Sequence, residues 1–218
     1  MSSAPVDIVS LGVTGYRQTW SAMKRYTHER DAQSRDQLWL TEHPPVFTQG
    51  LNGRAEHLLA TGEIPVVQVD RGGQVTYHGP GQLVVYCLLD LQRLGLGVKA
   101  LVSRIETSLI DLLAGHGIEA RTHPGAPGVY VDDAKIAALG LRIRKGCCYH
   151  GLSLNVNMDL EPFGRIDPCG YRGLAVTQVS DFGVGADVDS LGAELAEILT
   201  GNLGEKESGS AGRQAEGR

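Results

Sequence analysis

Cys169 stands in the run Asp167-Pro168-Cys169-Gly170-Tyr171-Arg172-Gly173. A proline before it and a glycine after it predict a tight, exposed turn. A thiol so placed is a candidate nucleophile if something stabilises its thiolate. Unperturbed, with a pKa of about 8.5, only a few per cent of it is ionised near neutrality. Lys135 is the candidate partner. In an uninterrupted strand, alternate residues share one face. Lys135, Ala137, Leu139, Leu141 and Ile143 then form a single row headed by a lysine, with Arg142 and Arg144 opposite. A lysine leading an inward face is partly desolvated, which lowers its pKa unless an anion is near. The competing reading is a strand-end lysine whose head snorkels to water. An ammonium about 4 Å from a thiolate, at an effective dielectric near 20, contributes roughly 4 kcal/mol. That is about three pKa units, before screening and desolvation reduce it. Histidine is the usual alternative base, and His78 and His150 each suit a Cys/His pair or a carbonyl-orienting role.

A second stretch offers a binding surface. Arg71 to Gln82 reads Arg-Gly-Gly-Gln-Val-Thr-Tyr-His-Gly-Pro-Gly-Gln, between the apolar runs Ile64 to Val69 and Leu83 to Leu89, which both read as buried strands. A glycine-rich turn between core strands lets the backbone approach a ligand closely, because no Cβ intervenes. The plainer reading is a long hairpin turn with incidental polar residues.

This stretch resembles the signature of the bacterial lipoyl (octanoyl) transferases, whose fold is that of the biotin and lipoate protein ligase catalytic domains. The match continues at Lys135 to Gly140, at His150 to Ser153 and at Asp167-Pro168-Cys169-Gly170. The resemblance implies Cys169 as nucleophile and Lys135 as its activating partner. It carries Arg71, Gly72, Gly73, Gln74, Val75, Thr76, Tyr77 and His78 onto an acyl pocket and its mouth. It adds Ala138, Leu139, Gly140, Gly151, Leu152 and Ser153, and puts both histidines near the substrate, His150 in a supporting role. Small residues at 138, 140 and 151 suit a groove for a slender acyl chain, and nearby backbone N–H groups suit an oxyanion. The activity implied is octanoyl (or lipoyl) transfer from acyl carrier protein to a lysine of a lipoyl domain through a cysteine thioester. Acceptors would be the lipoyl domains of 2-oxoacid dehydrogenase complexes and the glycine cleavage H protein. Thioester to amide is downhill, so neither ATP nor a metal is required. The rivals are an ATP-dependent lipoate or biotin ligase on the same fold, which needs no nucleophilic cysteine, and a non-catalytic acyl-binding module.

Composition narrows the classes further. The chain has 218 residues, a net charge of −5 and 42% apolar residues. That size supports a substantial core. The negative balance argues against a general nucleic-acid binder, although Arg142, Arg144 and Lys145 form a local basic cluster that would suit an acidic carrier protein. No run of about 18 apolar residues implies a membrane span, and Met-Ser-Ser-Ala-Pro-Val-Asp lacks the features of a signal peptide. A cytoplasmic protein is expected. Of the four cysteines, Cys87 lies in an apolar strand and reads as core. Cys147, Cys148 and His150 crowd together, but adjacent cysteines are poor tetrahedral ligands, so no metal site is expected.

The elements that must position these residues follow from periodicity. Strands are expected at Val6 to Val13, Gln37 to Thr41, Gly128 to Val131, Lys135 to Arg144 and Gly151 to Asn157, with short extended structure at Val46 to Gln49. Helices are expected over Tyr16 to Ser34, Val98 to Gly115 and from Asp189 onward, with a short one at Asn52 to Leu59. Val176 to Ser180 fits a short strand or a helix start. Hairpin-like strand pairs outnumber strand-helix alternations, which argues against a doubly wound nucleotide fold. The expectation is a single α/β domain over residues 1–204, helices packed on a largely antiparallel mixed sheet. Residues 205–218 are expected as a disordered tail, being Gly, Ser and charge without apolar anchors.

Overall fold

The computed structural model describes residues 6–167 and 173–204. Its frame is a seven-stranded sheet built around β6 (Gln82–Asp90), whose apolar run is buried on both faces. The order is β1 (Val6–Val13), β2 (Asp36–Glu42), β6, β10 (Cys147–Asn155), β9 (Ala134–Arg144), β8 (Ala126–Val131) and β7 (Arg121–His123). Among the described strands of this sheet, only β1 and β2 form a parallel pair. A second sheet of three strands has the order β4 (Val66–Gln68), β3 (Val46–Gln49), β5 (Val75–His78). The expected α/β domain with a mostly antiparallel sheet is what forms.

Alternation along the strands builds two different faces. Leu83, Val85, Cys87 and Leu89 join Leu152, Leu154 and Ala137 in the main core. That face is covered by α3 (Val98–Gly115) and α4 (Val188–Gly204). Leu101, Ile105, Leu109, Leu112 and Leu113 of α3 are fully or almost fully buried there, each worth about 1.5–3 kcal/mol. The opposite row, Val84, Tyr86 and Leu88, packs with Tyr149 and with Met23 of α1 (Tyr16–Glu29). Beyond α1 this second face meets the small sheet. A one-turn helix, α2 (Leu91–Leu94), follows β6 and is capped by the Asp90 carboxylate, which accepts from the Gln92 and Arg93 amides.

Five expectations are corrected. The first helix stops at Glu29, not Ser34, because Asp31 turns the chain by accepting from the Gln33 and Ser34 amides. There Arg30 reaches Asp36, whose side chain is fully buried and also binds Arg93. The glycine-rich stretch is no hairpin turn between two neighbours. It contains β5, and its flanking strands lie in different sheets. Strand Ile64 to Val69 shortens to β4, and the expected helix at Asn52 to Leu59 is a 3-10 turn at Ala55–His57. Finally, β9 is interrupted. Tyr130 pairs with Lys135 but Val129 pairs with Ala137, so Ile136 is an extra, bulged residue. The expected tail, 205–218, lies outside the described residues, as does Cys169.

Candidate functional site

A cleft opens between the second face of the large sheet and the segment that holds β5. Counting space that is open to solvent, the gaps between its walls amount to about 520 Å³. The sheet supplies Val84 and Tyr86 from β6, Ala138 to Gly140 from β9 and His150 to Ser153 from β10. The opposing segment supplies Arg71, Gly73 to Thr76 and His78, and α1 supplies Tyr16. Gly73 is exposed and Gln74 and Thr76 are part-exposed, whereas Tyr16, His78, Tyr86 and His150 are buried at the deep end.

The deep end is held by polar groups whose bonds fix their protonation. The carbonyl of Thr14 accepts from His43 Nδ1 at 2.7 Å, so His43 Nε2 must accept from the Tyr86 hydroxyl, also at 2.7 Å. Burial pushes the His43 pKa down and the ring stays neutral. His78 Nδ1 donates to Gln82 Oε1 at 2.7 Å, and its ring stacks on Tyr16 with centroids 5.7 Å apart. Burial, aided by the nearby His43, takes the His78 pKa down to about 3. The Arg71 guanidinium donates to the Thr48 carbonyl at 2.7 Å and to the Gly72 carbonyl at 2.9 Å.

His150 is held differently. Its φ is +61° within a strand, a left-handed backbone that side chains rarely adopt. That geometry breaks the strand alternation, so the ring stacks on its neighbour Tyr149 with centroids 5.2 Å apart. Asp70 fixes both. It accepts from His150 Nε2 at 3.0 Å and from the Tyr149 hydroxyl, and Trp20 Nε1 adds a third bond at 2.9 Å. Burial alone would raise the Asp70 pKa, but these donors outweigh it and hold the carboxyl well below its usual range. For His150 burial wins over the pull of Asp70 and lowers the imidazole pKa. A neutral ring therefore donates Nε2–H to an ionised carboxylate.

Lys135 is 5% exposed. Because Ile136 bulges, Lys135 leaves the Ala137 row and shares a side with Tyr130 instead, its ammonium 5.1 Å from that ring's centroid. Its chain runs across Gly128, where an added Cβ would stand 3.1 Å from Lys135 Cε. The ammonium donates to the Pro127 carbonyl at 3.2 Å. Val129 faces Ala137, so Gly128 is level with Ala138 at the cleft wall. The backbone of Lys135 exchanges hydrogen bonds with Ala175 and Thr177, which follow Cys169 by six and eight residues.

Of the residues singled out on sequence, Arg71, Gly73, Gln74, Val75, Thr76, His78, Ala138, Leu139, Gly140, His150, Gly151, Leu152 and Ser153 line one cleft. Gly72 and Tyr77 do not. Gly72 donates its amide to the Leu141 carbonyl, and the Tyr77 ring turns to Phe47 and Phe163 in a separate small core. Two glycines have reasons other than a slender ligand. A Cβ at Gly151 would meet the Val85 carbonyl oxygen at 1.9 Å, and one at Gly140 would meet Arg71 Cδ at 3.0 Å. Sequence reasoning missed Tyr16, Val84 and Tyr86 in the lining and Asp70 and His43 behind it. The only available signal was Asp70 preceding the glycine-rich run. Among the described residues no three His, Cys, Asp or Glu side chains group as metal ligands. Cys147 and Cys148 are buried, and Cys148 lies in the main core.

Residues 15–200 match the family described as the lipoyl protein ligase A/B catalytic domain. An octanoyltransferase of Stutzerimonas stutzeri is 61% identical over 204 residues, covering 94% of this chain and 93% of that protein. An octanoyltransferase of Azotobacter vinelandii is 58% identical, covering 92% and 98%. Among solved structures, a lipoate-protein ligase A bound with ATP superposes with a TM-score of 0.76 at 17% identity, over 90% of this chain and 85% of that one. A biotin protein ligase from Aquifex aeolicus reaches 0.53 at 13% identity, over 90% and 68%. These two establish the fold.

Proposed function

This chain belongs to the lipoyl protein ligase A/B catalytic-domain family and catalyses octanoyl transfer in protein lipoylation, and we propose that it does so through an octanoyl thioester on Cys169, with Lys135 carrying the proton. The donor is octanoyl-acyl carrier protein. The resting pair is a Cys169 thiolate beside a Lys135 ammonium. The thiolate attacks the thioester carbonyl carbon, the carbon–sulfur bond to phosphopantetheine breaks, and the leaving thiolate takes a proton from Lys135. A lysine amine of a lipoyl domain then attacks the acyl-enzyme. The amide bond forms, the bond to Cys169 breaks, and the amine's proton passes to the now neutral Lys135.

The observation that carries this reading is the setting of Lys135: buried, level with the wall of an apolar-lined cleft, and hydrogen-bonded through its backbone to the segment that follows Cys169. In such a low-dielectric place an ammonium stabilises a neighbouring thiolate more than it would in water. The histidine alternatives are weaker. His78 has a pKa of about 3 and already donates to Gln82, and the His150 pKa is lowered too. The covalent route needs no adenylate, hence no ATP, which separates this reading from a ligase. The acceptors we infer are the lipoyl domains of 2-oxoacid dehydrogenase complexes and the glycine cleavage H protein. No described helix is long and apolar enough to cross a membrane. From these inferred partners we infer a cytoplasmic reaction. Transfer rates of cysteine variants test the assignment. Cys169→Ser abolishes transfer with the fold intact, and Cys147→Ser retains most of it. An active Cys169→Ser enzyme would overturn the proposal, and so would an inactive but folded Cys147→Ser one.

A further inference from the structure

We propose that the Tyr86 ring, with His150 beside it, is the end wall that selects an eight-carbon chain. This rests on the octanoyl reading above and adds the device that measures the chain. Strand register sets the depth of this wall. On the cleft side of the sheet, Ala138 pairs with Ser153 and Ser153 with Val84. Two residues deeper, Gly140 pairs with Gly151 and Gly151 with Tyr86. One further, His150 faces Leu141. The Lys135 ammonium, lying over Gly128, marks the reacting end at the level of Ala138. From there, at about 3.3 Å per residue, the Tyr86 level is about 7 Å away and the His150 level about 10 Å. An extended octanoyl chain is about 9 Å long, so its terminal methyl arrives between the two rings, whose centroids are 6.4 Å apart.

The wall is rigid and presents carbon. The Tyr86 hydroxyl is committed to His43 and the His43 ring to the Thr14 carbonyl. His150 Nε2 is committed to Asp70, which is braced in turn by Trp20 and Tyr149. Neither ring can swing aside without breaking a buried hydrogen bond. Each pair of added carbons demands about 2.5 Å that this wall refuses, and a shorter chain leaves lining atoms without contact partners.

The test offers hexanoyl, octanoyl, decanoyl and dodecanoyl groups on acyl carrier protein to the full chain, reading kcat/KM for transfer to a lipoyl domain. Equilibrium binding of the corresponding free fatty acids is followed in parallel by tryptophan fluorescence. The unaltered chain is expected to favour octanoyl over decanoyl at least tenfold. Tyr86→Ala removes the wall and should raise the decanoyl-to-octanoyl ratio at least tenfold, with the maximum at ten or twelve carbons. His150→Gly suits the left-handed backbone at that position, so it opens the same end without strain and should shift the ratio the same way. Tyr86→Phe keeps the ring and should keep the maximum at eight. The proposal is overturned if Tyr86→Ala and His150→Gly, both folded by circular dichroism, lose all chains equally and still favour eight. Should Tyr86→Ala fail to fold, His150→Gly decides alone. If the unaltered chain transfers no acyl group, the octanoyl reading fails, and the fatty-acid ranking in the same variants still decides the wall.

Discussion

At the scale of single residues, one buried ammonium, that of Lys135, has two separable roles. A cation near a thiolate lowers the thiol pKa by an amount that depends on distance and dielectric, so the charge and the proton-transfer roles of Lys135 can be separated by substitution. Lys135→Met keeps much of the length and loses the charge. It should move the pH profile of Cys169 alkylation by iodoacetamide up toward the ordinary value of about 8.5, and cut transfer by roughly 10²–10⁴. Lys135→Arg should preserve part of the low-pH alkylation and still transfer poorly, because a guanidinium does not give up its proton. An alkylation profile that Lys135→Met leaves unmoved would assign activation to another group. At this scale the sequence was informative about residue types and poor about partners. Lys135 and Cys169 stand out by chemistry and neighbours, whereas Asp70 earns its importance only from Trp20, Tyr149 and His150, which sit far from it in the chain.

Elements decide where those residues point. Periodicity located the α3 helix to the residue and β6 to within one residue at each end, since both bury unbroken apolar patterns. It failed where long-range pairing overrides the period. The bulge at Ile136 moves Lys135 to the other side of the sheet from Ala137, and the left-handed His150 puts two successive rings on one face. Neither is encoded in local apolar spacing. The bulge makes Gly128 a supporting position. Its φ is +133°, and a Cβ there would meet the Ala137 carbonyl oxygen at 2.7 Å as well as the Lys135 chain. Gly128→Ala should therefore cost about 1–3 kcal/mol of stability and displace Lys135, lowering transfer more than unfolding explains. A variant with unchanged denaturant midpoint and full transfer would show that the position is tolerant. A second element-scale prediction concerns the start of β2. Asp36 is enclosed by Arg30 and Arg93, and Asp36→Ala strands those charges. About 3–5 kcal/mol should be lost in urea unfolding, and a loss under 1 kcal/mol would mean that water or rearrangement compensates.

For the whole molecule, the cleft makes stability depend on pH with a definite sign. Unfolded, a histidine titrates near 6.5. Folded, His78 titrates near 3, and His43 and His150 are also lowered. Above pH 6.5 neither state binds the proton. Between 6.5 and about 3 the unfolded chain takes up protons that the folded chain refuses, so stability falls as pH falls. From pH 6.5 to 5 one such ring removes about 2 kcal/mol. Asp70, lowered in the fold, adds a further loss at still lower pH. Urea midpoints should drop between pH 7 and 5, with a shallower slope in His78→Gln, and a flat or rising profile would contradict the neutral assignment. The central claim, a covalent octanoyl-enzyme on Cys169, is tested most directly by intact mass. After brief incubation with octanoyl-acyl carrier protein and no acceptor, the full chain should gain the mass of one octanoyl group, localised by peptide mapping to Cys169 and released by an added lipoyl domain. No mass gain, or a gain that persists in Cys169→Ser, would contradict it.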